Sequence, residues 1–253
     1  MGPISRIQVF GVILLLFVSV SVLADGFSSR IPGVDLANIA FLPGTSNRVI
    51  RSGAPPSLVK VKELTDLKIT HVLIFKNELK TEVHDEIGWW KSVGLLPANI
   101  HHVPFRWKGI VGHEQEACAQ VVESLKFIHD AVQSTNQKSR VLFHCSIGED
   151  RTGLLAGLYR LLIGSSKNAR DAFKNELCLY GYEHGDALKS DLVVQTIRNE
   201  LTPLYLGIAD LIAAKKLTVA NLSTSVCSDL KPVPAGSQYQ CEVSPYSPSV
   251  AGN

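Results

Sequence analysis

Two reactive side chains stand six positions apart in the stretch VLFHCSIGEDRTG, in which Cys145 ends one apolar segment and Arg151 begins another. A cysteine thiolate is a good nucleophile, and a guanidinium can bind two oxygens of a phosphoryl group at once. The spacing therefore favours attack of the Cys145 sulfur on a phosphomonoester that Arg151 holds in place. The alternative for Cys145 is a buried, unreactive thiol at the end of a strand.

The residues between these two suit an anion-binding loop. The apolar strand RVLFHC leads into Cys145, and a helix is predicted to begin near Thr152, so the intervening loop should lie at the carboxyl edge of a parallel sheet. A loop at that edge directs backbone N–H groups inward, and the helix N-terminus adds partial positive charge. We expect Thr152 to donate its hydroxyl to the sulfur. Four loop residues are predicted to line the phosphate site: Ser146, Ile147, Gly148 and Glu149.

Segments of strand length alternate with helical patterns along most of the chain. Strands are predicted over 48–53, 70–75, 100–105 and 140–145, after an irregular lead-in over 25–43. Helices are predicted over 57–67, 81–95, 114–134, 152–163, 168–177 and 188–200. This alternation indicates an α/β fold with a mainly parallel central sheet flanked by helices.

The first residues have the pattern of an export signal. Arg6 precedes an apolar run, and small residues follow it up to Ala24, which predicts a signal peptide over 1–24. A retained membrane anchor is the alternative, because the apolar run is at the short edge of spanning length. We expect a periplasmic or secreted protein with one domain over 25–220 and a Ser/Pro-rich tail over 221–253.

The charge balance bears on nucleic-acid binding, and the cysteine content bears on disulfide bonding. Removal of the signal takes one of 25 basic residues and leaves 23 acidic ones, so the near-neutral chain gives no reason to expect nucleic-acid binding. Five cysteines in an exported chain leave at least one unpaired. Cys227 and Cys241 are predicted to form a disulfide, whereas Cys118 and Cys178 lie on apolar helical patterns that indicate buried thiols.

The sequence HCSIGEDRTG resembles the signature of the cysteine-dependent protein tyrosine phosphatase superfamily. The segments RSGAPP, HVLIFKNE and IHHVPF are similar to the corresponding parts of its small dual-specificity-like and phytase-like members, and the resemblance extends from residue 48 to about 200. The resemblance implies a tyrosine-phosphatase-like fold with a dual-specificity core. It also implies a phosphocysteine at Cys145, phosphate binding by Arg151, and no metal ion or other cofactor.

The resemblance leaves the general acid open. Members of the superfamily usually take it from an aspartate on a loop before the helix that precedes the cysteine strand, but the matching segment RWKGIVGHEQE contains none. Some relatives carry an aspartate immediately before the signature arginine, and Asp150 stands at that position. We therefore predict Asp150 as the general acid, with His113 and Glu114 in reserve. The alternative for Asp150 is a carboxylate that braces the loop.

Cations outside the loop could help to bind a highly charged substrate. Lys76, Arg106 and Lys108 are predicted in this role, with Arg51 as a further candidate, and ordinary solvated surface is the alternative for each. His144 is expected to orient the loop. The adjacent His101 and His102 lack partners at metal-ligand spacing, so no metal site is predicted.

The expected function is hydrolysis of a small phosphorylated substrate by an exported monomer. An exported phosphatase of this size resembles the phytase-like members, which indicates inositol polyphosphates, phytate first. One alternative is a protein tyrosine, dual-specificity or phosphoinositide phosphatase. The other is a phosphate-binding effector without catalytic activity, although the intact Cys145 and Arg151 argue against it.

Overall fold

The computed structural model describes residues 28–133, 139–184, 189–231 and 233–242. The predicted signal peptide over 1–24 lies outside the described residues, as does the end of the predicted tail. Among the described helices, none is both long enough and apolar enough to cross a bilayer.

The described residues form a six-stranded sheet at the centre of the fold, in the spatial order β1-β2-β3-β6-β4-β5. Its strands are β1 (Ser29–Arg30), β2 (Ala40–Phe41), β3 (Val49–Ser52), β4 (His71–Phe75), β5 (Ile100–Val103) and β6 (Val141–His144). The four longer strands are parallel, and the two short ones pair antiparallel at one edge. This arrangement confirms the predicted α/β class. The segment over 25–43, which was predicted to be irregular, contributes the two antiparallel strands β1 and β2 at this edge.

In the part of the chain that the structure describes, seven α-helices surround the sheet. They are α1 (Leu58–Leu64), α2 (Glu82–Ser92), α3 (Glu114–Gln133), α4 (Asp150–Leu162), α5 (Ala169–Ala172), α6 (Asp191–Thr196) and α7 (Thr202–Ala213). The β4 side chains alternate between the two sheet faces, so Val72 and Ile74 join the core under α1 and α2. Leu73 and Phe75 join the larger core formed with α3, α4 and α7. Both faces of the sheet are therefore buried, as its continuous apolar strands predict.

The register of the sheet places the cysteine strand at its centre. Ser52 of β3 and Ile74 of β4 both stand opposite His144, the last residue of β6. Cys145 follows directly, so it leaves the sheet at the carboxyl edge between two parallel neighbours. Ligands of open α/β sheets bind at this edge.

The helix predicted over 188–200 extends further than expected. A π-helical turn, Ile197–Leu201, joins α6 to α7, and helical structure continues to Ala213. Pro203 lies in the first turn of α7 and has no N–H to donate to the preceding turn. The wide π turn accommodates this missing bond, so the proline does not end the helix.

The disulfide prediction is wrong. Cys118 of α3 is bonded to Cys227, and Cys178 is bonded to Cys241, while Cys145 is the free cysteine of the described chain. The two tail cysteines therefore reach different parts of the core, and Cys118 and Cys178 are not thiols. The described tail is packed closely as well, since a side chain on Gly207 of α7 would meet the tail backbone at 2.9 Å.

Candidate active site

Cys145 lies at the bottom of the loop that joins β6 to α4, and its side chain is 3% exposed. Its backbone N–H donates to Oγ1 of Thr152 at 2.9 Å, which ties the first turn of α4 to the end of the strand. Burial raises the pKa of the Cys145 thiol, but the guanidinium of Arg151 and hydrogen bonds from Thr152 and Gly148 outweigh burial and lower the pKa below its ordinary value. The local environment therefore favours the thiolate.

The backbone of residues 145–151, called here the cysteine loop, is oriented by hydrogen bonds on its outer side. Four consecutive carbonyl oxygens, from Cys145 to Gly148, have partners outside the loop backbone. Those partners are Nδ1 of His144 at 3.0 Å, the N–H of Ala54 at 3.1 Å, Nδ2 of Asn38 at 3.1 Å and Nη2 of Arg51 at 2.8 Å. In a trans peptide the C=O and N–H groups point in opposite directions, so outward carbonyls turn the loop N–H groups inward.

Two glycines allow this loop to lie against the end of β3. Gly148 has φ +84°, and a Cβ there would lie 2.5 Å from the backbone nitrogen of Gly53. A Cβ on Gly53 would in turn lie 2.9 Å from the carbonyl oxygen of Ile147. The close approach of two backbones, together with positive φ, makes glycine necessary at position 148.

Arg151 lies in the first turn of α4 and is 8% exposed. Its Nη2 donates to Oγ of Ser146 at 3.0 Å, and its Nη1 is 3.4 Å from Oδ1 of Asn77. The guanidinium therefore reaches from one end of the cysteine loop to the residue that follows Lys76 beyond β4. Asn77 was not predicted from the sequence, and its position at the carboxyl edge of the sheet is the signal that could have indicated it.

A buried ionic cluster lies behind Cys145. Nε2 of His144 is 2.7 Å from Oε1 of Glu86, and Glu86 also accepts from Nε1 of Trp90 at 3.2 Å. The Cys145 carbonyl can only accept, so the 3.0 Å contact with His144 requires a proton on Nδ1. His144 therefore orients the loop as expected. Lys76 is 5% exposed with Nζ 3.9 Å from Oε2 of Glu86, so it pairs with a buried carboxylate rather than lying on solvated surface.

Arg51 is fully buried and braces the cysteine loop from outside. Its Nη1 lies 3.0 Å from Oε2 of Glu176, its Nη2 donates to the Gly148 carbonyl, and its guanidinium lies 3.7 Å from the ring centre of Tyr180. The suggestion that Arg51 binds substrate is therefore wrong, since its charge is committed to a carboxylate inside the core.

The two acids of the cysteine loop share one cation. Nζ of Lys189 lies 2.8 Å from Oε2 of Glu149 and 2.9 Å from Oδ1 of Asp150, and it also donates to the carbonyl of Gly181 at 2.9 Å. Burial lowers the pKa of Lys189, but the two carboxylates outweigh burial and raise it. Asp150 thus makes the bracing contact that was the alternative to the role of general acid, and Glu149 is nearly buried within the same cluster.

The loop after β5 carries the predicted accessory cations. Arg106 and Lys108 are exposed, and Nζ of Lys108 lies 4.7 Å above the ring of Trp107. The N–H of buried Ile110 donates to Oε2 of Glu200 at 2.6 Å, which attaches this loop to the π-helical turn before α7. Both cations can therefore meet solvent and ligand while the loop itself is anchored.

The two reserve acids are engaged at the start of α3. Nδ1 of His113 lies 3.8 Å from Oε2 of Glu116, and both side chains are exposed. Hydrogen bonds from the backbone N–H groups of Gly112 and of Glu114 itself lower the pKa of the Glu114 carboxyl. A carboxyl that is held ionised in this way is a poor proton donor at neutral pH.

No metal site emerges from the described residues, which contain no cluster of three or more His, Cys, Asp or Glu side chains arranged to hold an ion. Nε2 of His101 contacts Glu123 at 2.9 Å, and Nε2 of His102 contacts the carbonyl of Lys76 at 2.8 Å. Each of the two histidines thus has a separate protein partner.

A thiol with a lowered pKa, surrounded by inward N–H groups and a guanidinium at the carboxyl edge of a parallel sheet, defines a nucleophilic anion-binding site. Residues 45–170, about half of the chain, match the model of a family described as the tyrosine phosphatase family. The chain belongs to this cysteine-dependent phosphatase family, as the resemblance of its signature predicted, and it is a phosphoric monoester hydrolase.

Several solved structures are similar to this chain at low identity. TpbA from P. aeruginosa is 18% identical, with 74% of this chain and 96% of that chain covered and a TM-score of 0.44. The core catalytic domain of the PP-IP phosphatase SIW14 from S. cerevisiae is 20% identical over 68% and 88%, with a TM-score of 0.42. The PTP-2 phosphatase of Cydia pomonella is 14% identical over 66% and 89%, with a TM-score of 0.41. No curated protein matches the chain.

Proposed function

We propose that this protein is an exported phosphatase that removes phosphate from inositol polyphosphates, phytate first, through a phosphocysteine at Cys145. The observation that carries the proposal is the position of the Cys145 sulfur. It lies at the bottom of inward-facing N–H groups, next to Arg151, in surroundings that lower its pKa. A phosphate bound by those N–H groups and by the guanidinium would present its phosphorus to the sulfur.

In the first step the thiolate of Cys145 attacks phosphorus, the S–P bond forms, and the bond from phosphorus to the ester oxygen breaks. The leaving alkoxide takes a proton from Asp150, which is the acid we propose. The guanidinium of Arg151 and the loop N–H groups stabilise the charge on the three equatorial oxygens. Nζ of Lys189 lies 2.9 Å from Oδ1 of Asp150, so the proposed step requires that Asp150 carry a proton in the substrate complex.

In the second step water attacks the phosphocysteine. Asp150, now a carboxylate, accepts the proton of the water, the S–P bond breaks, and inorganic phosphate and the Cys145 thiolate are released. The hydroxyl of Thr152, which hydrogen-bonds the sulfur, stabilises the thiolate as a leaving group.

Two features support the choice of substrate and location. Arg106 and Lys108 are exposed on the loop after β5, where they can meet phosphates beyond the one being cleaved. Four of the five cysteines form disulfides, which persist in oxidising compartments and accord with export through the N-terminal apolar segment. Lys76 is paired with Glu86, so it contributes less charge to the ligand than the sequence suggested.

A phosphotyrosine protein or a phosphoinositide is the second candidate substrate. Ile147 is 46% exposed on the cysteine loop itself, and an exposed apolar side chain at this place could contact an aromatic ring or a lipid.

The test is a phosphate-release assay across phytate, a phosphotyrosine peptide and a phosphoinositide, performed with wild type and with Cys145→Ser. We expect the highest kcat/KM on phytate and no turnover by the variant. Higher kcat/KM on either other substrate would replace the substrate assignment. Equal, negligible turnover by both proteins, with phosphate binding retained, would indicate a binding protein instead.

A further inference from the structure

We propose that Lys189 is a positioning residue that balances the charge of the cysteine loop, so that a loop containing two carboxylates can still bind phosphate. The proposal rests on the proposed function, because it concerns how the same loop accepts its anionic ligand. Lys189 lies 39 positions after Asp150, outside the signature, and it reaches the loop from the residue before the N-cap of α6.

The geometry around Lys189 is that of a saturated ammonium group. Its three N–H donors have three acceptors within 2.9 Å: Glu149, Asp150 and the carbonyl oxygen of Gly181. The Lys189 side chain is 9% exposed, and those of Glu149 and Asp150 are 9% and 17% exposed. At this depth salt screens the charges much less than at the surface.

The net negative charge of the cysteine loop explains why Lys189 is needed. The cysteine loop contributes Glu149, Asp150 and the Cys145 thiolate as anions, with Arg151 as its one cation, before any phosphate enters. An unpaired buried carboxylate would repel each negative oxygen of the ligand. Lys189 removes one negative charge from this sum, with its Nζ within 2.9 Å of both carboxylates.

Other cations near the loop are already compensated. Lys76 is close to Glu86, and Arg51 pairs with Glu176 inside the core. Among the described residues, Lys189 is a cation that contacts both loop acids, and it links the position of α6 to the electrostatics of phosphate binding.

The test separates charge balance from simple bracing by removing a carboxylate together with the cation. Orthophosphate binding is measured by titration calorimetry at low salt in the Cys145→Ser protein, alone and with Lys189→Met, Glu149→Gln or both. We expect Lys189→Met to weaken binding about tenfold and Glu149→Gln to strengthen it several-fold. The combined change restores the original charge, so it should return affinity to within about threefold of the Cys145→Ser protein.

The outcomes that would overturn the proposal are distinct. If the combined variant binds as weakly as Lys189→Met, Lys189 acts as a brace. If Glu149→Gln does not strengthen binding, the charge argument also fails, and this variant keeps the test valid should Lys189→Met not fold. If the Cys145→Ser protein binds no phosphate at all, the proposed function fails, and this inference fails with it.

A surface-lysine control and the pKa of Cys145 provide two further measurements. Lys62→Met removes an exposed lysine of α1 and should leave phosphate affinity unchanged. In the protein with Cys145 intact, Lys189→Met should raise the pKa of Cys145, measured from the pH dependence of alkylation, and Lys189→Arg should restore it. A pKa of Cys145 that is the same with Met at position 189 would contradict the proposal.

Discussion

Arg51 joins the cysteine loop to the interior of the protein. Its Nη2 lies 2.8 Å from the carbonyl oxygen of Gly148, and its Nη1 lies 3.0 Å from Oε2 of Glu176. Glu176 also accepts from Nη1 of Arg160 at 2.8 Å and from Oγ of Ser28, and both arginines are fully buried. One carboxylate thus holds two buried guanidinium groups, one of which orients the loop that binds phosphate.

Replacing Glu176 with Gln should destabilise the protein strongly. The change leaves two buried guanidinium groups without their counter-ion, which costs about 3–5 kcal/mol of the free energy of unfolding. Urea unfolding with the disulfides intact measures this loss. Glu63→Gln is the control, because Glu63 pairs with Lys60 at the surface, and its loss should cost less than about 1 kcal/mol. Similar losses for the two variants would contradict the role given to Glu176.

Gly148→Ala should abolish most of the activity while the rest of the fold remains. The new Cβ would overlap the backbone of Ser52 and Gly53, so the loop has to move away and its N–H groups lose their alignment. We expect kcat/KM to fall by about 100-fold or more. Gly88→Ala is the matched control, since a Cβ at this α2 position meets nothing within 4 Å, and it should keep full activity. Retained activity with Ala at position 148 would mean that the loop tolerates the shift.

The reactivity of Cys145 should depend on Arg151. The guanidinium favours the thiolate, so Arg151→Met should raise the pKa of Cys145, and alkylation by iodoacetamide at pH 7 should slow about tenfold. The rate is measured from pH 5 to 10, since its midpoint gives the pKa directly. An unchanged midpoint would show that Arg151 does not stabilise the thiolate.

The same pKa shift predicts how stability changes with pH. The pKa of Cys145 is lower in the folded protein than in the unfolded chain, so folding is stabilised by thiolate formation above the unfolded pKa, about 9. This contribution is lost as the pH falls through the folded pKa. The difference in unfolding free energy between wild type and Cys145→Ser should therefore grow in favour of wild type as the pH rises toward 9. A difference that is constant with pH would contradict the shift.

The parts of the site that were predicted from sequence lie in one continuous stretch. Cys145, Gly148 and Arg151 are fixed in relation to one another by a strand, a short loop and a helix, so their spacing is sufficient to predict an anion site. Glu86, Glu176 and Lys189 come from distant segments. Each is one charged residue among many in the sequence, and only the packing of α2, the turn after α5 and the start of α6 brings it to the loop.

The errors at the level of the fold have similar causes. Cys227 and Cys241 are close in sequence, but each is buried against a different helical segment, Cys227 against Cys118 of α3 and Cys241 against Cys178. Proline usually ends a helix, but the π turn before Pro203 lets this helix continue. The disulfide pairing and the length of this helix both depend on tertiary packing, which a local sequence pattern does not specify.

The Asp150→Asn variant tests whether Asp150 donates a proton to the leaving group or only braces the cysteine loop. An acid matters most when the leaving group is a poor one, so turnover of an inositol phosphate should fall about 100-fold or more, while turnover of an activated aryl phosphate should fall only a few-fold. Glu149→Gln, which removes the other partner of Lys189, should not separate the two substrates. Equal losses on both substrates with Asn at position 150 would assign Asp150 to bracing alone.

One disulfide should matter more for stability, and the other should matter more for activity. Replacing either pair by alanines should lower the free energy of unfolding by about 2–4 kcal/mol, and the Cys118–Cys227 pair, which spans 109 residues rather than 63, should matter more by about 0.5 kcal/mol. For activity we expect the reverse: loss of the Cys178–Cys241 bond should lower kcat/KM more than loss of the Cys118–Cys227 bond. Cys178 begins the turn that contains Tyr180, which stacks on Arg51, and is followed by Gly181, which accepts from Lys189.

Loss of the Cys178–Cys241 bond should therefore loosen two braces of the cysteine loop, whereas loss of Cys118–Cys227 releases the tail from the first turns of α3. Urea unfolding and kcat/KM measured on both double-alanine variants, well below their melting temperatures, test the two orders together. If both variants lose activity only in proportion to their stability, the turn over 178–181 does not support the loop. A larger kinetic defect in the variant with the smaller loss of stability would show that this disulfide fixes the braces of the phosphate site in place.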